Sequence, residues 1–175
     1  MEISRSYTPV RLFHTAEDTP SLHFLIKVYP DGALTQQLGK LSPGDQVCVS
    51  DHTGSFSMAK LSSCQNIYLL AAGTGCTPIF SLLHQLSQIK TEIPTKLLFF
   101  NKTQADIIWQ KELADYQACH PWLSVIHVLS EEAEGWEGDT GRVRKELLDK
   151  YFRNEEDGRF AAVCGPNGFT AEADR

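Results

Sequence analysis

The stretch 66-NIYLLAAGTGCTPIFSLLHQL-86 decides the fold, because it joins a strand pattern to a helix pattern through a glycine-containing turn. Its first part, 67-IYLLAA-72, is apolar without interruption, which is typical of a strand buried on both faces of a parallel sheet. After Pro78 the apolar residues recur at helical spacing and predict a helix over residues 78–90. The turn 71-AAGTGCTP-78 leaves two interpretations open, a cradle for a phosphate or an ordinary structural turn.

The same alternation of strand and helix continues to the end of the chain. Apolar strand patterns occupy residues 96–100, 123–129 and 160–164, and helical patterns occupy residues 104–117 and 142–152. Strands that alternate with helices in this way indicate a parallel α/β domain. We place the beginning of this domain near residue 62.

The first third of the chain has a β-rich character instead. Residues 22–30 read as a strand, residues 31–41 as a turn with a short helix, and residues 43–58 as a hairpin with turns at PGD and HTG. The predicted fold class is therefore α/β plus all-β. A β-rich unit over residues 1–62 precedes a parallel α/β domain over residues 63–175.

Composition excludes several classes of protein. The chain has 175 residues, of which 42% are apolar and 22% charged, as in globular proteins. A net charge of −6 argues against general nucleic-acid binding, because phosphates need a basic surface. The five cysteines contain no CxxC pair, which favours a reducing compartment over a disulfide framework or a zinc site. We expect a cytoplasmic protein, with the endoplasmic reticulum surface as an alternative location, no metal and no membrane span.

Two glycine-containing loops are the candidate ligand site. They are 72-AGTGCTP-78 after the first strand of the α/β domain and 164-CGPNG-168 after the last. Ligands bind beyond the carboxyl ends of parallel strands, so we expect both loops to converge on one cleft. Thr77 is placed to cap the next helix and Pro78 suits its first turn, an arrangement that favours an anion such as a pyrophosphate.

Six segments together carry a resemblance to a known family. They are RSYTP (5–9), IKVY (26–29), GALT (32–35), AAGTGCTP (71–78), FFNKTQADIIWQKEL (99–113) and CGPNG (164–168). In this order and spacing they resemble the cytochrome b5 reductase family of the wider ferredoxin–NADP reductase group, and within it the modules fused to a cytochrome b5 domain. The resemblance implies part of an FAD-binding β-barrel over residues 1–62, an NAD(P)-binding α/β domain over residues 63–175, and FAD with NADH or NADPH as cofactors.

The resemblance also implies roles for individual residues. Arg5 would meet the flavin pyrophosphate, Tyr7 and Thr8 would line the isoalloxazine, and amides of the GALT segment would hold a flavin phosphate. On the nicotinamide side, Lys27 would assist nucleotide binding and Cys164 would lie near the nicotinamide. The catalytic candidates are Thr8, Lys27 and Cys164, and the cofactor-binding candidates are Arg5, Tyr7, Thr8, Pro9, Lys27, Val28, Tyr29, Gly32, Ala33, Leu34, Thr35, Gly73, Thr74, Gly75, Thr77, Pro78, Ser130, Gly165 and Pro166.

The residue at position 130 leaves the choice of nucleotide open. Ser130 stands where NADH-preferring members of the family usually carry an Asp, and Glu131 follows it. An acidic group there favours a ribose hydroxyl and repels a ribose phosphate. The sequence therefore does not decide between NADH and NADPH.

The resemblance implies a flavin-dependent oxidoreductase module. Such a module transfers a hydride from NAD(P)H to FAD and passes electrons to a haem protein such as cytochrome b5, fused in the parent chain or separate. The family places most of its barrel before RSYTP and continues beyond CGPNG with a helix and a strand, so we expect both ends of the module to be missing. The alternative is a truncated, catalytically inactive fragment or isoform that acts at most as a nucleotide-binding or interaction module. A third hypothesis keeps the chemistry and changes the acceptor to ferric iron, nitrate or oxygen.

Overall fold

The chain forms a parallel sheet of five strands within the residues that the computed structural model describes, which are 3–10, 21–51, 54, 56–131, 134–152 and 158–174. The strands are β1 (Asn66–Ala72), β2 (Thr95–Asn101), β3 (Leu123–Leu129), β4 (Asp139–Thr140) and β5 (Arg159–Cys164), in the spatial order β4-β3-β2-β1-β5. All paired neighbours run parallel. The helices are α1 (Thr35–Leu38), α2 (Cys76–Gln88), α3 (Gln110–Cys119), α4 (Lys145–Tyr151) and α5 (Asn167–Ala173). The predicted α/β domain is confirmed.

Helices cover both faces of the sheet, which explains why its central strands are apolar without alternation. On one face, Leu69 and Phe99 are fully buried in a core that α2 and α3 complete. On the other face, Leu70 and Leu98 pack in a core with Leu147 of α4 and with α5. Successive residues of β1 and β2 therefore enter different cores. No helix in the described part of the chain is both long enough and apolar enough to cross a membrane.

The order of the strands reverses beside β1. The chain leaves β1 toward β2 and β3, and it returns on the other side of β1 as β5. Ala71 pairs with Cys164, so the carboxyl ends of β1 and β5 are adjacent. Open α/β sheets bind ligands at such a reversal, because the connections on either side leave a crevice there.

The strand predicted over residues 22–30 and the hairpin predicted over residues 43–58 are wrong for the described residues, which form no strand before Asn66. A strand needs consecutive hydrogen bonds to a neighbour. Here the Val10 amide donates to the His23 carbonyl at 2.9 Å without a continuing ladder between the described residues. The HTG turn lies largely outside the described residues. The short helix expected within residues 31–41 is confirmed as α1.

The helix predicted over residues 104–117 is divided into a 3-10 turn (Gln104–Asp106) and helix α3. The Thr103 amide and hydroxyl both donate to the Asp106 carboxylate, at 3.1 and 2.8 Å, around a single 3-10 turn. Ile107 is then buried, and α3 begins at Gln110 after Trp109, whose φ is 54°. The sequence predicted neither β4 nor α5.

Candidate functional site

A cavity of about 1040 Å³ opens at the carboxyl ends of β1, β2, β3 and β5. Its sheet side consists of the segments that follow these strands, together with residues 141–143 before α4 and part of α5. The facing wall comes from residues 25–27 and from Tyr29 in the first third of the chain. Ligand pockets usually measure roughly 300–1,000 Å³, so this one is large enough for a nucleotide.

The two glycine-containing loops touch, as the sequence predicts. A β-carbon at Gly75 would lie 2.6 Å from the Cys164 carbonyl carbon and 2.7 Å from the Gly165 amide nitrogen. A β-carbon at Gly165 would lie 2.9 Å from the Ala72 β-carbon. Only glycine allows this approach of one loop to the other, so both glycines shape the floor between β1 and β5.

The first loop presents Gly73 and Thr74 to the cavity, whereas Thr77 and Pro78 do not line it. Gly73 has a φ of 53°, and no atom lies within 4 Å of the place a β-carbon would take. The prediction that Thr77 caps the helix is wrong: the N-cap is Gly75, and the Thr77 hydroxyl donates to the Thr74 carbonyl at 3.2 Å. Pro78 lies in the first turn, as predicted.

Lys27 and Tyr29 form the facing wall, and the GALT segment holds Tyr29 in place. The Lys27 ammonium lies 5.8 Å from the centre of the Tyr29 ring, at a distance that allows a cation–π contact. The Tyr29 amide donates to the Thr35 hydroxyl at 3.2 Å, and the Gln36 side chain donates to the Tyr29 carbonyl at 2.9 Å. The other predicted residues of this region do not line the cavity, namely Val28, Gly32, Ala33 and Leu34.

The RSYTP segment lies outside the cavity. Arg5 is exposed, and its guanidinium donates to the Ser4 carbonyl at 2.7 Å. Tyr7, Thr8 and Pro9 are half-buried and do not line the cavity. RSYTP, the segment expected to bind the flavin, thus contributes no residue to the lining of this cavity.

The second loop contributes Pro166 to the cavity, and Ser130 lines it from the end of β3. Cys164 is half-buried behind the loop, and this burial raises the pKa of its thiol, so the thiol is protonated at neutral pH. Burial also raises the pKa of the neighbouring Cys76 to about 12. No cluster of three His, Cys, Asp or Glu side chains within the described residues could hold a metal ion.

Comparison with known proteins finds two family models that match the chain. The model of the oxidoreductase NAD-binding domain matches residues 69–175, and that of the oxidoreductase FAD-binding domain matches residues 1–58. Rat cytochrome b5 reductase 4 is 38% identical over 184 residues, which cover 99% of this chain and 35% of the relative. The chain belongs to the cytochrome b5 reductase family.

Solved structures agree with this membership. The CS-b5R domains of human Ncb5or, in an NAD⁺ form, superpose with a TM-score of 0.88 at 36% identity, covering 100% of this chain and 52% of that one. A ferredoxin NADP⁺ reductase from Neisseria gonorrhoeae, with bound FAD and NADP, has the same fold, with a TM-score of 0.80 at 18% identity over 97% of this chain and 70% of that one. The chain spans about a third of the length of the cytochrome b5 reductase 4 relatives that it matches.

Several cavity residues of this family member were not predicted from the sequence. Asn101 is 5% exposed, and within the described residues neither polar atom of its side chain has a hydrogen-bond partner. Lys102, Asp106 and Arg142 also line the cavity. Their position could have identified them, because Asn101 and Lys102 stand at the carboxyl end of a predicted parallel strand.

The described residues fit the two cofactors of the family. A buried amide without a partner costs about 1–3 kcal/mol, and a ribose hydroxyl at Asn101 would remove that cost. Lys27 and Arg142 supply positive charge for nucleotide phosphates at the same cavity. On the flavin side, Arg5 uses one of its N–H groups for Ser4, and a guanidinium has further N–H groups for a pyrophosphate.

Proposed function

We propose that the chain is a reductase module that transfers a hydride from NADH or NADPH to FAD and passes electrons to a haem protein such as cytochrome b5. The observation that carries the proposal is the cavity in which the loops after β1 and β5 meet opposite Lys27 and Tyr29. This arrangement supports a nicotinamide nucleotide that lies across the strand ends, with the flavin on the side of the first third of the chain. The family membership supports the same pair of cofactors.

FAD, when bound, accepts a hydride and releases electrons one at a time. The chain's own residues bind and orient the reactants. Gly73 and Thr74 allow a nucleotide to approach the backbone, while Lys27 offsets phosphate charge and Tyr29 offers a flat apolar face. Thr8 is the candidate hydrogen-bond donor to a flavin heteroatom.

Hydride transfer needs orientation and exclusion of water more than an acid or a base. The half-buried Cys164 fits that requirement, because a thiol with a raised pKa stays neutral at the edge of the site. The tight contact of Gly75 with the second loop fixes the floor on which the nicotinamide would lie. Orientation by packed backbone is therefore the main contribution of this α/β domain.

The proposal is tested by loading the purified chain with FAD and measuring NADH-dependent reduction of ferricyanide and then of cytochrome b5. We expect stoichiometric yellow flavin and reduction of both acceptors. Lys27→Met should raise KM for NADH about tenfold, because one charge-assisted contact is lost. Lys40→Met is the matched control, since Lys40 is exposed and lies outside the cavity, and it should leave KM unchanged.

The second candidate is a nucleotide-binding or interaction module without flavin turnover. It is favoured by the position of RSYTP outside the cavity and by exposed apolar side chains in the same third of the chain, such as Phe24, Val47 and Val49. A chain that binds NAD⁺ stoichiometrically and binds no FAD would support this candidate. A folded chain that binds neither cofactor would contradict the proposed reductase and would leave only the interaction module.

A further inference from the structure

The wall formed by the first third of the chain meets the α/β domain beside the segment that follows β2. Leu25 and Ile108 both line the cavity, and both pack against the core that α2 and α3 complete. Lys27 follows Leu25 by two residues on one wall, and Asp106 precedes Ile108 by two residues on the other. Both charged residues also line the cavity, so Lys27 and Asp106 lie where the two walls come together.

The carboxylate of Asp106 is held in a fixed place. The amide and the hydroxyl of Thr103 both donate to one of its oxygens, at 3.1 and 2.8 Å. These hydrogen bonds lower the pKa of Asp106, and the charges of Lys27 and Lys102 lower it further, so the carboxylate is ionised at neutral pH. A fixed negative charge therefore lies in a cavity whose proposed ligand carries a pyrophosphate.

The side chain of Lys27 has more freedom than that of Asp106. Lys27 is exposed, its ammonium lies 5.8 Å from the centre of the Tyr29 ring, and it forms no ion pair among the residues that the structure describes. A lysine carries its charge on a flexible stem of four carbons, so this ammonium can turn toward Asp106 or toward a ligand phosphate. The two attractions compete, because one ammonium serves both.

We propose that Asp106 is a positioning residue that draws the Lys27 ammonium toward the α/β side of the cavity and thereby weakens its hold on the nucleotide pyrophosphate. This inference rests on the proposed nicotinamide nucleotide site. NADH and NAD⁺ carry the same pyrophosphate, so both bind less tightly than they would without Asp106. The oxidised nucleotide that remains after hydride transfer is then released more readily, and product release limits the turnover of many enzymes.

The attraction between Lys27 and Asp106 has a suitable strength for this role. The two side chains face each other without a direct ion pair, and the attraction between such charges through solvent is weak. A bound pyrophosphate can therefore still recruit Lys27. Asp106 lowers the affinity for the nucleotide without preventing its binding.

The experiment is a double-mutant cycle on the full chain, with NAD⁺ affinity measured by calorimetric titration. Asp106→Asn should tighten NAD⁺ binding about fivefold, because asparagine keeps an acceptor for Thr103 but removes the charge that competes for Lys27. This gain should shrink at high salt. Lys27→Met should weaken binding about tenfold, and in that background Asp106→Asn should change the affinity by less than about twofold.

Two further variants separate the charge of Asp106 from its structural role. Asp115→Asn is the matched control, because Asp115 is exposed on α3 and outside the cavity, and it should leave the NAD⁺ affinity unchanged. Thr103→Val keeps the charge of Asp106 and removes one of its two hydrogen bonds. It should lower the free energy of unfolding without tightening NAD⁺ binding.

Equal gains from Asp106→Asn with and without Lys27 would show that the carboxylate acts on the nucleotide directly and would overturn the inference. Unchanged or weakened NAD⁺ binding in Asp106→Asn would overturn it as well, and in each of these cases the nucleotide site stands. A folded wild-type chain that binds no NAD⁺ would contradict the proposed function too. The failure of the inference and the failure of the proposed function are therefore distinguishable.

Discussion

Substitution of Gly75 by alanine tests whether the contact between the two glycine-containing loops builds the site. Gly75 has a φ of −63°, which alanine adopts without strain, so any cost comes from the new methyl group. That methyl would lie 2.6 Å from the Cys164 carbonyl carbon and 2.7 Å from the Gly165 amide nitrogen. Optimal contacts are about 3.5–4.0 Å, so the loops would have to separate by roughly 1 Å. Overpacking of this kind costs about 1–3 kcal/mol.

Urea denaturation should therefore show that Gly75→Ala lowers the free energy of unfolding by about 1–3 kcal/mol. Titration with NAD⁺ should show binding weakened about tenfold or more, because the cavity floor has moved. Alanine substitutions at two other glycines separate the effect of the new methyl group from the effect of backbone strain. Gly73→Ala meets no atom within 4 Å but has a φ of 53°, so it should cost about 1–2 kcal/mol through strain alone.

Gly168→Ala also meets no atom within 4 Å, and its backbone is helical within α5. It should be neutral or should stabilise the chain by up to about 1 kcal/mol. If Gly75→Ala keeps both the unfolding free energy and the NAD⁺ affinity of the wild type, the loops do not depend on each other and this reasoning is refuted.

Three further predictions concern polar side chains. Burial lowers the pKa of His127, so the unfolded state binds more protons and the free energy of unfolding should fall as the pH drops below about 6.5. His127→Phe should flatten this pH profile in denaturation experiments. An unchanged profile would show that His127 is not the group responsible. Asn101→Leu removes two buried polar atoms without partners, so the free energy of unfolding should stay within about 1 kcal/mol of the wild type. The same variant should bind NAD⁺ more weakly. If it binds NAD⁺ with the affinity of the wild type, Asn101 does not contact the ligand. Tyr151→Phe removes the hydrogen bond from the Tyr151 hydroxyl to the Asp139 carboxylate. It should lower the free energy of unfolding by about 1–2 kcal/mol. A loss below about 0.3 kcal/mol would show that the bond is not formed in solution.

The sheet could be predicted because its strands are buried on both faces. Residues 67–72 and 97–100 are apolar without interruption, which is typical of strands buried on both faces of a parallel sheet. Parallel strands also bring their carboxyl ends to one edge, so the meeting of the two glycine-containing loops followed from the alternation of strands and helices. The contact of Gly75 with Cys164 confirms that expectation.

The remaining features depend on contacts that no local pattern contains. Residues 22–30 have the composition of a strand, but strand formation needs a hydrogen-bonded neighbour, and the described residues supply no ladder there. β4 has two residues, too few for any periodicity. Asn101 reads as an ordinary polar residue after a strand, and its burial becomes evident only once the segment after β3 lies beside it. Thr77 resembles a helix cap, but α2 begins one residue before it.

The central claim is that nicotinamide nucleotide and flavin meet at this cavity for hydride transfer. The most direct measurement is anaerobic mixing of the FAD-loaded chain with NADH while the visible absorbance of the flavin is recorded. We predict that the flavin bleaches on mixing and that Gly75→Ala slows the bleaching. Flavin that stays oxidised in a folded chain with bound nucleotide would contradict the claim.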